Sequence, residues 1–218
     1  MKMNIVNPST GAIIAAVEQD DQHSLDIKHN SLKEGQKEWS AVSLQQRIEI
    51  LKAYSKLMAS HIEPLAKTLT DEVGKPLQQS KNEINGSIFR IEWLTNNAEK
   101  YLADETMNTA VGMTELIRYE PLGVVCNISA WNYPYLVGTN VFVPALLAGN
   151  AVFYKPSEFA TLTGLQIEKL LKEAGVPENV FQVAIGGAAA GEILLSIPLD
   201  GYFFTGSYKT GKYIYEKV

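Results

Sequence analysis

The rhythm of apolar and polar positions changes once along this chain. From Ser43 to Thr70 the residues Ile48, Leu51, Leu57, Ile62, Leu65 and Leu69 recur at helical spacing, which gathers them on one stripe. Pro64 interrupts the run and predicts two helices in place of one, because proline lacks an amide hydrogen and clashes with the turn before it. Gly74-Lys75-Pro76 stops the second. Gln78–Leu102 is a further periodic segment, with Ile84, Ile88, Ile91 and Leu94 on one face, and Ser24–Trp39 is an earlier helix. Between Ile5 and Val17, two short apolar runs flank Pro8-Ser9-Thr10-Gly11, which predicts a small hairpin. All of these read as cover for a sheet.

Beyond Glu120 short apolar runs alternate with helix-length segments. Val124–Ile128 precedes Tyr135–Leu147, and Ala151–Tyr154 precedes Leu162–Ala174. Phe181–Ile185 then precedes Ala188–Ile197, and Tyr202–Phe204 precedes Lys209–Lys217. Four strand–helix repeats predict an α/β fold with a Rossmann-like, doubly wound parallel sheet. The turn after each strand is polar or glycine-rich, and such turns converge on the sheet edge where ligands bind. Between the two regimes, Val111, Thr114, Leu116, Ile117 and Tyr119 predict extended chain turning at Gly112. An isolated two-stranded arm is marginal in water, so it either packs on the body or pairs with another subunit. The expected divisions are therefore 1–104 (hairpin and helices), 105–120 (arm) and 121–218 (sheet core).

Composition narrows the function. At 218 residues and 46% hydrophobic, the chain has enough apolar mass for a sizeable core. A net charge of −5 offers no electrostatic footprint for nucleic acid or an anionic membrane. No apolar run approaches the roughly 18 residues of a membrane helix, and the start, MKMNIVNPSTG, has no signal-peptide core. The single cysteine, Cys126, excludes an internal disulfide and suits a reducing, cytoplasmic setting. His23, His29 and His61 have no Cys or His partner at ligand spacing, so no metal site is expected.

The candidate chemistry sits at the strand ends. Glu158 follows a strand three residues after Lys155, and a carboxylate there can accept both hydroxyls of a ribose while repelling a 2′-phosphate. A solvated turn with a weak ion pair is the alternative. Gly186-Gly187 opens a helix, with Gly191 four residues on, so backbone amides can face a phosphate; a plain tight turn fits equally. Asn132 can donate to a developing oxyanion without bringing charge, or can cap the helix ahead of Pro134. Gly206, Gly211 and Lys212 satisfy the G-x-x-x-x-G-K of triphosphatases, but Tyr213 stands where a small hydroxyl must reach magnesium, so that reading is set aside. Cys126 falls inside an apolar strand and reads as a buried hydrophobe.

Taken in order, EPLGVV, AWNYP, PALLAGNAVFYKPSE, EAGVPENVFQV and FTGSYKTG resemble the aldehyde dehydrogenase superfamily, and VNPSTG and DEVGKP fit its N-terminal region. The resemblance implies oxidation of an aldehyde to an acid with NAD or NADP, through a nucleophilic cysteine and an activated water. It implies that Asn132 donates to the oxyanion, that Trp131, Lys155, Ser157 and Glu158 contact the adenosine ribose, that Ile128 and Asn132 also contact the cofactor, and that Gly187, Gly206 and Ser207 lie by the pyrophosphate. Glu158 suggests NAD over NADP. The 106–119 arm resembles the first part of an oligomerisation hairpin, implying a homo-oligomeric parent. In that family the general base and the nucleophile follow the FTGS segment. The 218 residues are therefore expected to be an N-terminal portion, inactive alone and bound to dinucleotide rather than to a readable aldehyde. The other expectation is a non-catalytic dinucleotide-binding or interaction module.

Overall fold

A computed structural model describes residues 2–110 and 112–218; Val111 of the expected arm lies outside the described residues. The chain opens with an antiparallel hairpin of β1 (Lys2–Val6) and β2 (Ile13–Glu18). Its turn is held by Asn7, whose side chain accepts the Ser9 amide at 2.9 Å. Four helices follow: α1 (Gln22–Ala41), α2 (Leu44–Ser60), α3 (Ile62–Val73) and α4 (Leu77–Leu102). Capping boxes at Asp21/Ser24 and Ser43/Gln46 start the first two.

The break between α2 and α3 falls at His61, three residues before the expected Pro64. A proline ring clashes with the carbonyl four residues earlier, so the helix breaks there, and Pro64 itself sits in the first turn of α3, where its missing amide costs nothing. Gly74 ends α3 in the left-handed conformation, φ 79°, as a side-chain-bearing residue rarely can.

β3 (Glu105–Ala110) and β4 (Met113–Ile117) then form the antiparallel arm, with Met107, Met113, Leu116 and Ile117 exposed. The strand–helix repeats appear as expected: β5 (Val124–Ile128), α5 (Pro134–Leu147), β6 (Ala151–Lys155), α6 (Thr161–Ala174), β7 (Phe181–Val183), α7 (Ala188–Ser196), β8 (Gly201–Phe204) and α8 (Tyr208–Lys217). All four strands are parallel, in the order β7-β6-β5-β8.

Alternate residues of β5 and β6 serve opposite cores. Val125, Val152 and Tyr154 pack with α5 and α6, and α2, α3 and α4 form a second layer over the same cluster. Val124, Cys126 and Phe153 pack on the other face with Leu25 and Leu32 of α1 and Leu194 of α7. Each large apolar side chain sealed in this way contributes about 1.5–3 kcal/mol. The helical layer also reaches across to the sheet helices with polar groups. Glu72 of α3 accepts the Leu162 and Thr163 amides of α6, and Glu83 of α4 accepts the Tyr135 and Leu136 amides of α5. Each carboxylate satisfies orphan donors at a helix N-terminus and meets its positive dipole end.

Candidate functional site

The chain steps outward from β5 to β6 to β7, then returns to the other side of β5 as β8. That reversal opens a crevice at the carboxyl ends of the strands. Register places Ile128 level with both Lys155 and Phe204, so three strand ends form one floor. Above it lies a cleft of about 400 Å³, walled by residues 128–131, by Lys155, Ser157, Glu158 and Phe159, by one face of α7, and by the start of α8.

Lys155 is the last residue of β6 and is 5% exposed. It is thus not part of a solvated turn, the alternative left open by its spacing from Glu158. Its ammonium donates to the Pro156 carbonyl at 3.1 Å. Burial lowers its pKa, and the charge of Glu158 works in the opposite direction. Ser157 caps the short 3-10 turn at 158–160, accepting the Phe159 amide at 3.3 Å and donating to Glu158 Oε2 at 3.4 Å. The other carboxylate oxygen, Oε1, stands 3.8 Å from where a Cβ on Gly187 would be. Gly187 precedes the first residue of α7, and no side chain caps that helix. The carboxylate therefore sits beside uncapped amides that favour an anion.

Trp131, half exposed, forms one wall, and Ile128 lies on the floor. Gly206 lies against the Phe204 ring, which comes within 2.4 Å of a Cβ built there, so any side chain at 206 displaces the ring. Ser207 lines the cleft and caps α8, accepting the Thr210 amide at 3.3 Å. Because α8 begins at Tyr208, Gly211 and Lys212 lie within the helix and no phosphate loop exists there.

Asn132 lies outside the cleft wall, exposed on the turn before α5. Its alternative role as helix cap does not hold: Tyr133 precedes the helix, no side chain of the turn caps it, and Glu83 takes the first amides instead. The Asn132 backbone carbonyl accepts from Lys75 at 2.6 Å. Cys126 is fully buried in β5 on the α1/α7 side, and burial pushes its thiol up to about 12, so it is no nucleophile.

The wall also contains Phe159, Glu192, Leu195, Thr210 and Ile214, which sequence reasoning passed over, and Tyr213, which it weighed only as a misfit in a magnesium-binding loop. A signal existed for some of them. Gly187, Gly191 and Leu195 are spaced by four and share a helix face, as do Thr210 and Ile214.

Dinucleotide chemistry fits this donor set: an acid for a diol, a lysine beside it, and a glycine-edged helix N-terminus for a phosphate. The chain is similar along its length to known proteins. A betaine aldehyde dehydrogenase of Vibrio vulnificus (strain CMCP6) is 35% identical over 95% of this chain and 43% of its own length. An NADP-dependent glyceraldehyde-3-phosphate dehydrogenase from Bacillus halodurans C-125, solved with NADP, superposes with a TM-score of 0.94 at 29% identity. The match covers the whole of this chain and 47% of that one. A betaine aldehyde dehydrogenase from Staphylococcus aureus, solved with NAD+, gives 0.94 at 26% identity, over all of this chain and 45% of that one. The chain thus spans less than half the length of these relatives. The family model for the aldehyde dehydrogenase family matches residues 1–218, and the chain belongs to that family.

Proposed function

We propose that the cleft binds NAD and that the chain supplies the cofactor-binding part of an NAD-linked enzyme oxidising a small aldehyde to its acid. The observation that carries this reading is the Glu158 carboxylate beside Gly187, at the level strand ends of β5, β6 and β8. In it, Glu158 accepts the ribose hydroxyls, Ser157 holds that carboxylate in place, Lys155 lends it a nearby positive charge, and Ile128 and Trp131 line the path of the cofactor. The amides at Gly187 and the turn at Gly206 and Ser207 face its phosphates. A nicotinamide dinucleotide held by these residues would supply the hydride acceptor for the oxidation. Asn132 is the oxyanion donor, carried on the turn that Lys75 holds by its backbone. The nucleophile is contributed from outside these residues, because Cys126 is sealed on the wrong face of β5. The exposed apolar side chains of the β3–β4 arm support a homo-oligomeric parent. A cytoplasmic setting agrees with an unpaired thiol and with the absence, among the described residues, of a helix long and apolar enough to cross a membrane.

Titration calorimetry with NAD and NADP tests this. Saturable NAD binding is expected, tighter than NADP, and Glu158→Ala should weaken it about tenfold while narrowing the gap to NADP. A folded, monodisperse sample that binds neither dinucleotide overturns the proposal.

A further inference from the structure

The outer end of the cleft is a slot between two helices, and one polar contact bridges its rim. On the α7 side Gly187 and Gly191 present bare backbone, which lets a flat ring lie close, and Leu195 continues the same face. Ile214 faces it from α8. Across the rim the Tyr213 hydroxyl donates to Glu192 Oε2 at 2.8 Å. That hydrogen bond raises the phenol's pKa, so the proton stays on Tyr213 and the carboxylate of Glu192 is held in place. An ionised carboxylate accepts through both oxygens, and Tyr213 takes only Oε2, so Oε1 can receive a second donor.

We propose that Glu192, held by Tyr213, determines the base specificity of the site: it accepts the exocyclic amine of an aminopurine and disfavours a 6-oxopurine. The inference rests on the dinucleotide reading above and adds the residue that reads the base. Glu158 meets α7 at Gly187, and Glu192 lies five residues further on, about 7.5 Å along the helix axis. A nucleoside whose diol is held by Glu158 and whose base enters the slot therefore directs the edge of that base toward Glu192. An amine at that edge donates to Oε1. A carbonyl oxygen there brings lone pairs against a carboxylate, and a site built to accept a donor rejects the analogue that lacks it.

Calorimetric titration of the 218-residue chain with NAD and with nicotinamide hypoxanthine dinucleotide separates the possibilities. The unsubstituted chain is expected to prefer NAD about tenfold. Glu192→Ala, an exposed helix position where alanine is well tolerated, should abolish the preference, weakening NAD and tightening the hypoxanthine analogue whose carbonyl the carboxylate repels. Tyr213→Phe keeps the ring, frees the carboxylate, and should reduce the preference. Glu158→Ala should weaken both dinucleotides and leave their ratio intact. Equal affinities in the unsubstituted chain, or a preference that survives Glu192→Ala, overturn the role of Glu192 while the dinucleotide site stands. Binding of neither compound overturns both.

Discussion

Lys75 and Glu83 form an ion pair beneath the turn that leads into α5, with side chains only 9% and 0% exposed. The pair clamps the turn at several points. Glu83 Oε1 accepts the Tyr135 amide at 2.8 Å, while the Lys75 ammonium donates to the Asn132 carbonyl at 2.6 Å and stands 3.8 Å from the centre of the Tyr133 ring. Removing Glu83 strips the Tyr135 and Leu136 amides of their acceptor and leaves the Lys75 ammonium with only the Asn132 carbonyl and the Tyr133 ring. Glu83→Ala is expected to cost about 4 kcal/mol, read by urea unfolding at neutral pH. A loss below about 1 kcal/mol, the range of a surface pair, would show that the clamp does not hold the turn.

Glu72 gives the fold a pH dependence that one substitution isolates. Burial raises its pKa from 4.5 to about 7, against the lowering effect of the Leu162 and Thr163 amides and the Thr163 hydroxyl. The folded state therefore holds a proton that the unfolded chain releases at a lower pH. Stability from this group is complete below about pH 4.5, falls as pH rises through 7, and changes no further above that. The full difference is about 3 kcal/mol. Glu72→Gln should flatten the stability profile between pH 5 and 7 relative to the parent chain; identical slopes would remove Glu72 as the cause.

The Cys126 thiol should be chemically silent in the folded chain. Its pKa near 12 leaves almost no thiolate at pH 8, and it is fully buried in β5. A thiol-specific chromogenic reagent is expected to label it only as fast as the chain unfolds, and to label it at once in denaturant. Rapid labelling of a natively folded sample would contradict the burial. Any aldehyde turnover that vanished in Cys126→Ala would contradict the proposal that the nucleophile lies elsewhere.

Gly35 marks a contact between α1 and the loop before β7. A Cβ placed on it would lie 1.8 Å from the Asn179 carbonyl oxygen, a backbone atom that cannot swing aside. Although alanine is the better helix former, Gly35→Ala is expected to destabilise by about 3 kcal/mol in thermal or urea unfolding. A neutral or stabilising result would mean that α1 rides further from the loop than described.

The sequence by itself determined the strand–helix alternation, the parallel sheet and the polar strand ends. Each of these rests on local information: apolar runs of strand length, helix-period stripes, and glycines or prolines at the turns. Lys155, Ser157, Glu158 and Gly187 were legible as cleft positions because they end or follow a strand or open a helix, and chain direction in a parallel sheet sends all such positions to one edge. Pro64 shows where local reading slips. It signals a break, and the carbonyl four residues behind it decides where the break falls. Only the tertiary structure decided which distant groups meet. Glu83 is 52 residues from the amide it accepts, and Glu72 is 90 residues from Leu162. In sequence both look like solvent-facing residues of periodic helices. Glu192 and Tyr213 belong to successive helices whose mutual approach depends on β8 returning beside β5. Buried charge pairing and cross-helix contacts depend on packing geometry, and hydrophobic periodicity carries no record of which polar residue faces which.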